Sequence, residues 1–346
     1  MDDVQEKWIV AFIRAFEACV VKPGELVAIL SESESRRSLV KLSELALLRM
    51  QARPFHVVVP TPLADAPVPI RSTGHSVAIQ EHAGVIAALT ACSFVVDVTV
   101  EGLLHATERG PILAGGTRVL MVSNEHPEVL ARLLPDPALK SKVQKGVAMA
   151  KGARRMRVTS AAGTDLVVDM VNANVGGGWG FADERGLMAH WPGGLCAFYA
   201  REGAVNGTVV MDCGDLNLTF KRYLDTPIRL VIENDFIVDI TGPGLDAALM
   251  RSYFEAWNDR NAYAVAHLGW GMNPRARWDA LTMYDRNDTN GTEQRAFAGN
   301  FLFSTGSNRF ANRYTHGHFD LPMRNCTIAL DDTTVVDRGR LCAALS

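Results

Sequence analysis

The most constraining feature of this sequence is an alternation of helix-length amphipathic segments with short apolar runs between residues 8 and 134. Helices are predicted at 8–20, 36–50, 77–91 and 127–134, and strands at 26–30, 56–59, 94–98 and 118–122. Strands separated by helix-length segments favour a parallel sheet covered on both faces, because each parallel connection must cross back over the sheet. The sequence therefore predicts an α/β fold whose N-terminal part, residues 1–136, is a doubly wound parallel α/β domain.

The sequence changes character after a predicted helical connector at 137–151. Short segments of alternating apolar and polar residues follow, separated by Gly and Asp turns, and they include 156–159, 165–168, 207–212 and 228–232. One clear helix is predicted in this part, at 245–257. This pattern favours an α+β arrangement. Residues 137–346 are therefore predicted to form a C-terminal α+β domain with a largely antiparallel sheet.

The composition is that of an ordinary globular protein, with 346 residues, a net charge of −3 and 48% hydrophobic residues. No apolar run reaches the roughly 18 residues that cross a bilayer, and the N-terminal MDDVQEKWIV has acidic residues where a signal peptide has basic ones. We therefore expect a cytoplasmic protein with no membrane partner. The near-neutral charge, without basic clusters, gives no support to nucleic-acid binding. The six scattered cysteines are predicted to be free thiols.

The glycine distribution argues against a nucleotide site at the first strand-to-helix turn. There the sequence continues after Leu30 as SESESRR, which lacks a Gly-x-Gly-x-x-Gly motif and whose acidic character repels a pyrophosphate. A later glycine cluster, 176–178, is followed by Trp179 and Gly180 and opens no obvious helix. It is predicted to be a flexible loop or, alternatively, a place where the backbone comes close to a ligand.

Candidate metal ligands occur in the stretch THGHFD, residues 315–320. On a strand, His316, His318 and Asp320 alternate and point to one face, so that a metal ion has up to three ligands there. If only His318 and Asp320 bind, the third ligand is predicted to be His267 in AHLGWGMNPRARW, where a Gly-x-Gly turn lets the backbone pass close to a bound group. His316 is then either a neighbour that supports the site or an exposed residue ahead of the strand.

The ligand types indicate what such a site is for. Two histidines and one carboxylate form the facial triad of non-haem Fe(II) oxygenases, which leaves adjacent positions open for substrate and dioxygen. A structural zinc site, by contrast, is closed by four ligands. An open three-ligand site therefore favours chemistry, and a metal-binding structural protein is the less favoured alternative.

Two motifs resemble the C-terminal metal motifs of the aminopeptidase T family of metallo-aminopeptidases, namely HLGWGMNP at 267–274 and HFD at 318–320. Family members typically have Glu-Leu-Gly-x-Gly-x-Asn-Pro at the first motif, so that His267 here replaces a glutamate. At two further ligand positions of the family this sequence has Leu195 and Leu302, which bind no metal. The resemblance implies a metal-binding catalytic C-terminal domain in which a dinuclear peptidase centre has become mononuclear. A metal-dependent aminopeptidase is kept as the alternative function.

The remodelled pattern resembles the 2,5-dihydroxypyridine 5,6-dioxygenase family over most of the chain. The stretches that carry this resemblance are LLH, ADERGLMAHWPGG, HLGWGMNPRARW, DRND, GNFLFSTG and HFDLPMRNC. The resemblance implies that His267, His318 and Asp320 bind Fe(2+), because zinc has no redox chemistry to offer. It further implies that the enzyme converts 2,5-dihydroxypyridine and O2 to N-formylmaleamate in nicotinate degradation, and that it is a homo-oligomer.

The same resemblance places Leu104 and His105 in the substrate pocket and gives His190 as a substrate contact. His105 is the predicted acid/base, because imidazole titrates near neutrality and this residue follows a strand of the parallel sheet, at the edge where such folds bind ligands. His190 remains the alternative acid/base, and both histidines also have purely structural interpretations. Ser304, between the last two metal motifs, is a candidate for a hydrogen bond to the ring nitrogen or its 2-oxygen. Which dihydroxylated ring is the true substrate is left open.

Overall fold

The structure is a computed structural model that describes residues 4–63 and 75–345. Its α-helices are α1 Glu6–Ala18, α2 Arg37–Arg49, α3 Ala83–Thr90, α4 Arg109–Ala114, α5 Pro127–Arg132, α6 Pro137–Gly152, α7 Leu245–Trp257 and α8 Thr292–Ala296. Its strands are β1 Leu26–Glu32, β2 Arg53–Val59, β3 Phe94–Asp97, β4 Arg118–Val122, β5 Arg155–Thr159, β6 Asp165–Asp169, β7 Asn174–Gly178, β8 Met188–Trp191, β9 Leu195–Tyr199, β10 Val205–Met211, β11 Leu216–Asn217, β12 Arg222–Tyr223, β13 Ile228–Glu233, β14 Phe236–Thr241, β15 Val265–Gly271, β16 Phe301–Thr305, β17 Phe319–Met323, β18 Thr327–Leu330, β19 Thr333–Asp337 and β20 Arg340–Leu341. None of the helices in these residues has the length and hydropathy that a bilayer span needs.

Five strands form a parallel sheet in the order β2-β1-β3-β4-β8. The inner strands β1, β3 and β4 are buried, as their near-continuous apolar sequences predict for strands covered on both faces. One apolar core lies between this sheet and helices α1 and α2, and another lies on the opposite face beneath α3 and α4. The predicted doubly wound parallel fold is confirmed.

Two details of the parallel sheet differ from the sequence-based expectation. The predicted helix at 77–91 is shorter and covers Ala83–Thr90, because Glu81 has a positive φ of 62° that an α-helix does not accommodate. The fifth strand, β8, comes from beyond residue 136, so that both parts of the chain contribute to the sheet. The division into domains 1–136 and 137–346 stays a prediction.

The remaining strands form antiparallel sheets, as predicted for the C-terminal α+β part. Eight strands are arranged as β14-β13-β10-β6-β5-β18-β19-β20, five as β17-β16-β15-β9-β7, and β11 pairs with β12. Helix α6 packs on β7 and β9 of the five-stranded antiparallel sheet. A continuous apolar core joins α6, α7 and the two larger sheets.

Two glycine-rich stretches have other structures than predicted. Residues 176–178 belong to β7 instead of a flexible loop, and a Cβ on Gly178 would lie 2.3 Å from Nε2 of His190. The glycines of HLGWG lie inside β15 instead of forming a turn. A Cβ on Gly269 or Gly271 would lie 2.1 Å from the carbonyl oxygen of a neighbouring segment. Glycine therefore permits close packing in both strands. In β7 it packs against the side chain of His190, and in β15 it packs against the backbone of neighbouring segments.

The carboxyl ends of the parallel strands face the five-stranded antiparallel sheet. The loop after β3 brings the His105 ring within 6.2 Å of the His267 ring on β15, measured between ring centroids. The loop after β4 is tied to the start of α8, because the buried Glu125 carboxylate accepts hydrogen bonds from the backbone N–H groups of Gly291 and Thr292. Open parallel sheets bind ligands at this edge. The junction of the two sheets is therefore where a functional site is expected.

Candidate active site

The five-stranded antiparallel sheet brings His267, His318 and Asp320 together. His267 lies within β15, Asp320 is the second residue of β17, and His318 immediately precedes β17. One potential ligand atom of each lies within 4.8 Å of the other two. The Asp320 carboxylate lies close to both rings, with Oδ1 3.4 Å from Nε2 of His267 and Oδ2 3.2 Å from Nε2 of His318. Within the described residues, no other group of three or more His, Cys, Asp or Glu side chains has this spacing.

Ser304 supports two of these side chains from the neighbouring strand. It lies directly opposite Asp320 in the pairing of β16 with β17. Its hydroxyl donates to Oδ1 of Asp320 and lies 3.1 Å from Nδ1 of His267. Because its single proton goes to the carboxylate, the hydroxyl accepts a hydrogen bond from Nδ1–H of His267, which leaves Nε2 of that ring with a lone pair. Ser304 is fully buried, and this geometry favours a role in orienting candidate metal ligands over the predicted contact with substrate, which stays a prediction.

Arg295 in α8 holds the same carboxylate, with its Nε 2.5 Å from Oδ2 of Asp320. Burial opposes ionisation of Asp320, but Arg295, His318 and His267 outweigh burial and hold the pKa of this carboxyl well below its usual range. Burial is also the main reason why the pKa of His267 falls to about 4. At neutral pH the cluster thus contains an ionised carboxylate and a neutral imidazole, which are the protonation states that metal binding requires.

His318 lies outside the strand, yet its backbone is held in place. The hydroxyl of Tyr253 accepts a hydrogen bond from the His318 N–H at 3.1 Å and donates to its carbonyl oxygen at 2.9 Å. Thr219 donates to the same carbonyl at 3.0 Å. The preceding Gly317 packs so closely that a Cβ there would lie 2.6 Å from the Cβ of Ala262. The position of His318 is therefore defined by tertiary contacts instead of by the sheet.

A cavity of about 400 Å³ opens beside the three side chains, and residues from both parts of the chain line it. The predicted substrate contacts Leu104, His105 and His190 are among the lining residues, whereas Ser304 is not. His316 also lines the cavity with an exposed side chain. Since β17 begins only at Phe319, the alternation expected for THGHFD does not extend back to His316. Of the two alternatives for His316, the structure supports an exposed residue ahead of the strand.

The loop that carries His105 is anchored by Asp97, the last residue of β3. One carboxylate oxygen of Asp97 accepts a hydrogen bond from the N–H of Leu103 at 2.6 Å. The other accepts from the N–H of Thr99 at 3.0 Å and from its hydroxyl at 2.7 Å. A buried carboxylate at the end of a parallel strand thus fixes a loop that has no regular secondary structure.

The surroundings of His105 favour a neutral ring. It stacks on His267 at an interplanar angle of 30°, and its Nδ1 lies 3.5 Å from the hydroxyl oxygen of Tyr199. Burial, followed by the repulsion from His267, lowers the pKa of His105 well below its ordinary value. A neutral imidazole beside the metal-ligand candidates is able to accept a proton from a bound molecule.

His190 presents one defined nitrogen to its surroundings. Its Nδ1 lies 2.7 Å from the carbonyl oxygen of Pro192, so Nδ1 carries the proton and donates, while Nε2 has the lone pair. Burial lowers the pKa of this histidine, which agrees with a neutral ring. On the side of β7, Nε2 packs against Gly178, where a Cβ would lie 2.3 Å from it, and the ring lines the cavity. His190 is therefore suited to accept a hydrogen bond from a ligand.

Two further residues of the site were not predicted from the sequence. Tyr199 lies directly across from His267 in the pairing of β9 with β15, and burial raises its pKa to about 12, so that its hydroxyl keeps its proton. Arg295 reaches Asp320 from α8. Only Arg295 had a sequence signal, since it is a cation just ahead of GNFLFSTG. Tyr199 had no such signal, and only the pairing of β9 with β15 places it in the site.

The comparison with known families agrees with this geometry. The family model NicX, 2,5-dihydroxypyridine 5,6-dioxygenase, matches residues 7–343. The chain belongs to this dioxygenase family. A 2,5-dihydroxypyridine 5,6-dioxygenase of Pseudomonas putida strain KT2440 is 43% identical over 258 residues, which are 74% of this chain and 73% of that protein. The predicted resemblance and the predicted enzyme class are thereby confirmed.

Two solved structures share the fold. That of 2,5-dihydroxypyridine dioxygenase from Pseudomonas putida KT2440 has a TM-score of 0.90 and 37% identity, and the match covers 97% of each chain. That of AmpT from Thermus thermophilus has a TM-score of 0.64 and 16% identity, with 97% of this chain and 99% of the other covered. The similarity to AmpT shows that the two proteins share a fold, and it shows nothing about function. Of the two leucines that were predicted to occupy peptidase ligand positions, Leu195 lines the cavity and Leu302 is fully buried within β16.

Proposed function

We propose that this protein is a metal-dependent 2,5-dihydroxypyridine 5,6-dioxygenase that uses Fe(2+) and O2 to form N-formylmaleamate. The observation that carries the proposal is the cluster of His267, His318 and Asp320 at the wall of a cavity, in a chain of this family. A metal cofactor follows from the family and the donor set together. The identity of the metal as iron, and these three residues as its ligands, are part of the proposal.

The donor set suits Fe(2+). Two imidazoles and one carboxylate, with ligand atoms within 4.8 Å of one another, match the facial triad that leaves neighbouring positions free. Fe(2+) held by these residues would supply the one-electron chemistry that couples the ring to O2. Ser304 and Arg295 contribute by orienting His267 and Asp320, as hydrogen-bonded neighbours of metal ligands commonly do.

His105 is proposed as the acid/base. A dihydroxypyridine must lose the proton of its 5-hydroxyl group to become an electron-rich ligand. The neutral His105 ring, whose pKa is depressed mainly by burial, lies beside His267 and accepts this proton. Tyr199 keeps its own proton, because burial raises its pKa, and its hydroxyl lies 3.5 Å from Nδ1 of His105. Tyr199 therefore helps to hold the orientation of His105.

His190 and Leu104 are proposed to position the ring. The 2-hydroxypyridine part of the substrate carries an N–H or O–H group at neutral pH, and Nε2 of His190 is an acceptor of the required kind. Leu104, together with Met121 and Met188, lines the cavity with apolar atoms that pack on the ring and exclude water. His190 acts in this arrangement as a hydrogen-bonding partner, which leaves proton transfer to His105.

The test is turnover by protein whose metal content is controlled. Metal is removed with a chelator, Fe(2+) or Zn(2+) is added without oxygen, and 2,5-dihydroxypyridine and O2 follow. With Fe(2+), O2 uptake should match loss of the ring absorbance one to one, and mass spectrometry should detect N-formylmaleamate with both atoms of labelled O2. Zn(2+) should give no turnover. Absence of O2 uptake with iron, or release of amines from aminoacyl anilides, would contradict the proposal.

Two predictions from the sequence accompany this function. The location in the cytoplasm and the assembly into a homo-oligomer were expected from composition and from the family resemblance, and both stay predictions. Size-exclusion chromatography with light scattering measures the assembly state directly.

A further inference from the structure

The charged side chains that line the cavity carry an excess of positive charge. Among the described residues that line it, Asp320 is the one acidic side chain, whereas three arginines, Arg109, Arg295 and Arg309, contribute guanidinium groups. Arg295 is bound to Asp320. This local excess of positive charge contrasts with the net charge of −3 of the whole protein. The two remaining arginines are therefore not accounted for by the candidate metal centre.

Arg109 and Arg309 are both connected to residues of the proposed active site. A guanidinium nitrogen of Arg109 donates a hydrogen bond to the carbonyl oxygen of Leu104. Arg309 lies over the Phe310 ring at 4.9 Å, and Phe310 lies 5.4 Å from the Tyr199 ring, measured between centroids. Tyr199 is the cross-strand neighbour of His267. The two cations thus lie one side chain away from the residues around the metal-ligand candidates.

Neither guanidinium has an anionic partner in the part of the chain that the structure describes. Within residues 4–63 and 75–345, no carboxylate oxygen lies within 4.0 Å of Arg109 or Arg309. The pKa of Arg109 is lowered by burial and by repulsion from Arg309. Arg109 is half-buried and lies near this like charge, an arrangement that is unfavourable unless an anion neutralises it. Guanidinium groups also match the planar geometry of a carboxylate better than any other side chain.

The proposed reaction creates such an anion. Cleavage of the C5–C6 bond gives one atom of O2 to each carbon, so that C5 becomes a carboxylic acid and C6 a formyl group, without an outside reductant. A carboxylic acid ionises near pH 4, whereas a phenol-like ring hydroxyl ionises only near about pH 10. At neutral pH a mainly uncharged substrate therefore becomes a product with one negative charge.

We infer that Arg109 and Arg309 form a binding site for the carboxylate of the ring-opened product. This inference rests on the proposed function. The site lies beside the metal-ligand candidates and draws the new carboxylate away from them, so that the product leaves along the positively charged side of the cavity. The ligand class is a small open-chain carboxylate with an amide group, and uncharged rings do not depend on the site.

The test compares a charged with an uncharged open-chain compound. Maleamate carries a carboxylate and an amide, and maleamide is its neutral counterpart. Calorimetry measures the binding of each compound to the protein as purified and to protein treated with a chelator. The comparison separates binding of maleamate to the protein from its direct binding to a metal ion. Arg309→Met should weaken maleamate binding by about tenfold, the loss expected for one charge-assisted hydrogen bond. Binding of maleamide should change less than about twofold, and higher salt should reduce the difference between the two proteins.

Two variants control the experiment. Arg309→Lys keeps the charge and should recover part of the affinity for maleamate. Arg338→Met removes an exposed arginine that pairs with the adjacent Asp337, and it should leave maleamate binding unchanged. Arg109→Met provides a second removal, although it also deletes the hydrogen bond to Leu104.

The outcomes separate this inference from the proposed function. Unchanged maleamate affinity in both Arg309→Met and Arg109→Met, or an equal loss for maleamide, overturns the carboxylate site. If Fe(2+)-dependent turnover occurs but substitution of Arg109 and Arg309 leaves maleamate binding unchanged, the proposed function stands and the inferred carboxylate site is wrong. If maleamate binds in an arginine-dependent way without any ring cleavage, the anion site stands, and its assignment to the product falls with the proposed function.

Discussion

The two five-stranded sheets contribute to the candidate site in different ways. The antiparallel sheet supplies His267 from β15 and Asp320 from β17, with Ser304 between them on β16. The parallel sheet supplies residues from the segments at its carboxyl edge, above all the loop with His105. Side chains on paired strands are held by the backbone ladder on both sides. Two of the metal-ligand candidates, His267 and Asp320, are thus held by the sheet ladder, whereas the proposed proton acceptor lies on a loop that the Asp97 carboxylate anchors.

From this difference we expect metal binding and proton transfer, as proposed, to depend on separate parts of the fold. Asp97 fixes the loop of the parallel sheet through Leu103 and Thr99, and it touches none of the metal-ligand candidates. Ser304 fixes the ligands and lies outside the cavity lining. Variants in one region should therefore impair one property and leave the other intact.

The largest effect is expected from Asp320→Ala. Loss of the carboxylate leaves two imidazoles beside the positive charge of Arg295, and metal binding should fall far below one equivalent with no measurable turnover. Metal analysis of purified protein, together with O2 uptake, checks this. Asp279→Ala, which removes an exposed carboxylate paired with Arg277, is the matched control and should bind metal normally. A full equivalent of iron in Asp320→Ala would remove this residue from the ligand set.

The next effect is expected from His105→Ala. Removal of an acid/base residue typically lowers kcat by about 10² to 10⁴-fold, and here iron content should remain that of the unaltered protein because His105 is not among the proposed ligands. Steady-state O2 uptake and metal analysis are measured on the same sample. His56→Ala, on β2, serves as control. Loss of iron along with activity would contradict the separation of the two regions.

A smaller effect is expected from Ser304→Ala, which tests whether this residue orients the metal-ligand candidates or contacts the substrate. Loss of a hydrogen-bonded neighbour of a metal ligand typically lowers metal affinity by about 10 to 100-fold. At saturating Fe(2+), the KM for the ring should stay close to normal, since the hydroxyl does not line the cavity. Competition with a chelator measures the affinity. Ser141→Ala, on the exposed side of α6, is the control, and a raised KM with unchanged metal affinity would instead restore the substrate contact.

The smallest effect is expected in the pH dependence of stability caused by Asp97. Burial raises the pKa of this carboxyl to about 6, so the folded protein holds a proton that the unfolded chain releases near about pH 4. The free energy of unfolding therefore falls as pH rises from about 4 to about 6, with a slope of at most about 1.4 kcal/mol per pH unit from this group.

Asp97→Asn isolates that contribution. Urea unfolding of metal-free protein at several pH values should show a shallower decline for Asp97→Asn than for the unaltered chain. The buried Asp215, whose pKa is also raised by burial, to about 7, contributes equally to both proteins and cancels in the difference. Parallel curves would show that Asp97 does not hold a proton in the folded state.

Much of the fold was predictable because its signals are local. The buried runs of β1, β3 and β4 and the amphipathic pattern of α1 and α2 each arise within a few residues, and they specify a covered parallel sheet. The ligand candidates His267, His318 and Asp320 were recognised from short motifs for the same reason. Each motif lies within a few consecutive residues, so it can be recognised without knowledge of the fold.

What only the tertiary structure decided depends on pairings between distant segments. Tyr199 reaches His267 through the register of β9 with β15, and Ser304 reaches Asp320 through that of β16 with β17. Glycines 176–178 became part of a strand because β9 pairs with them. Register and sheet order are set by the burial of whole faces, which no short stretch encodes. The sequence by itself thus determined the fold class and the chemical character of the site, and tertiary packing decided which side chains support it.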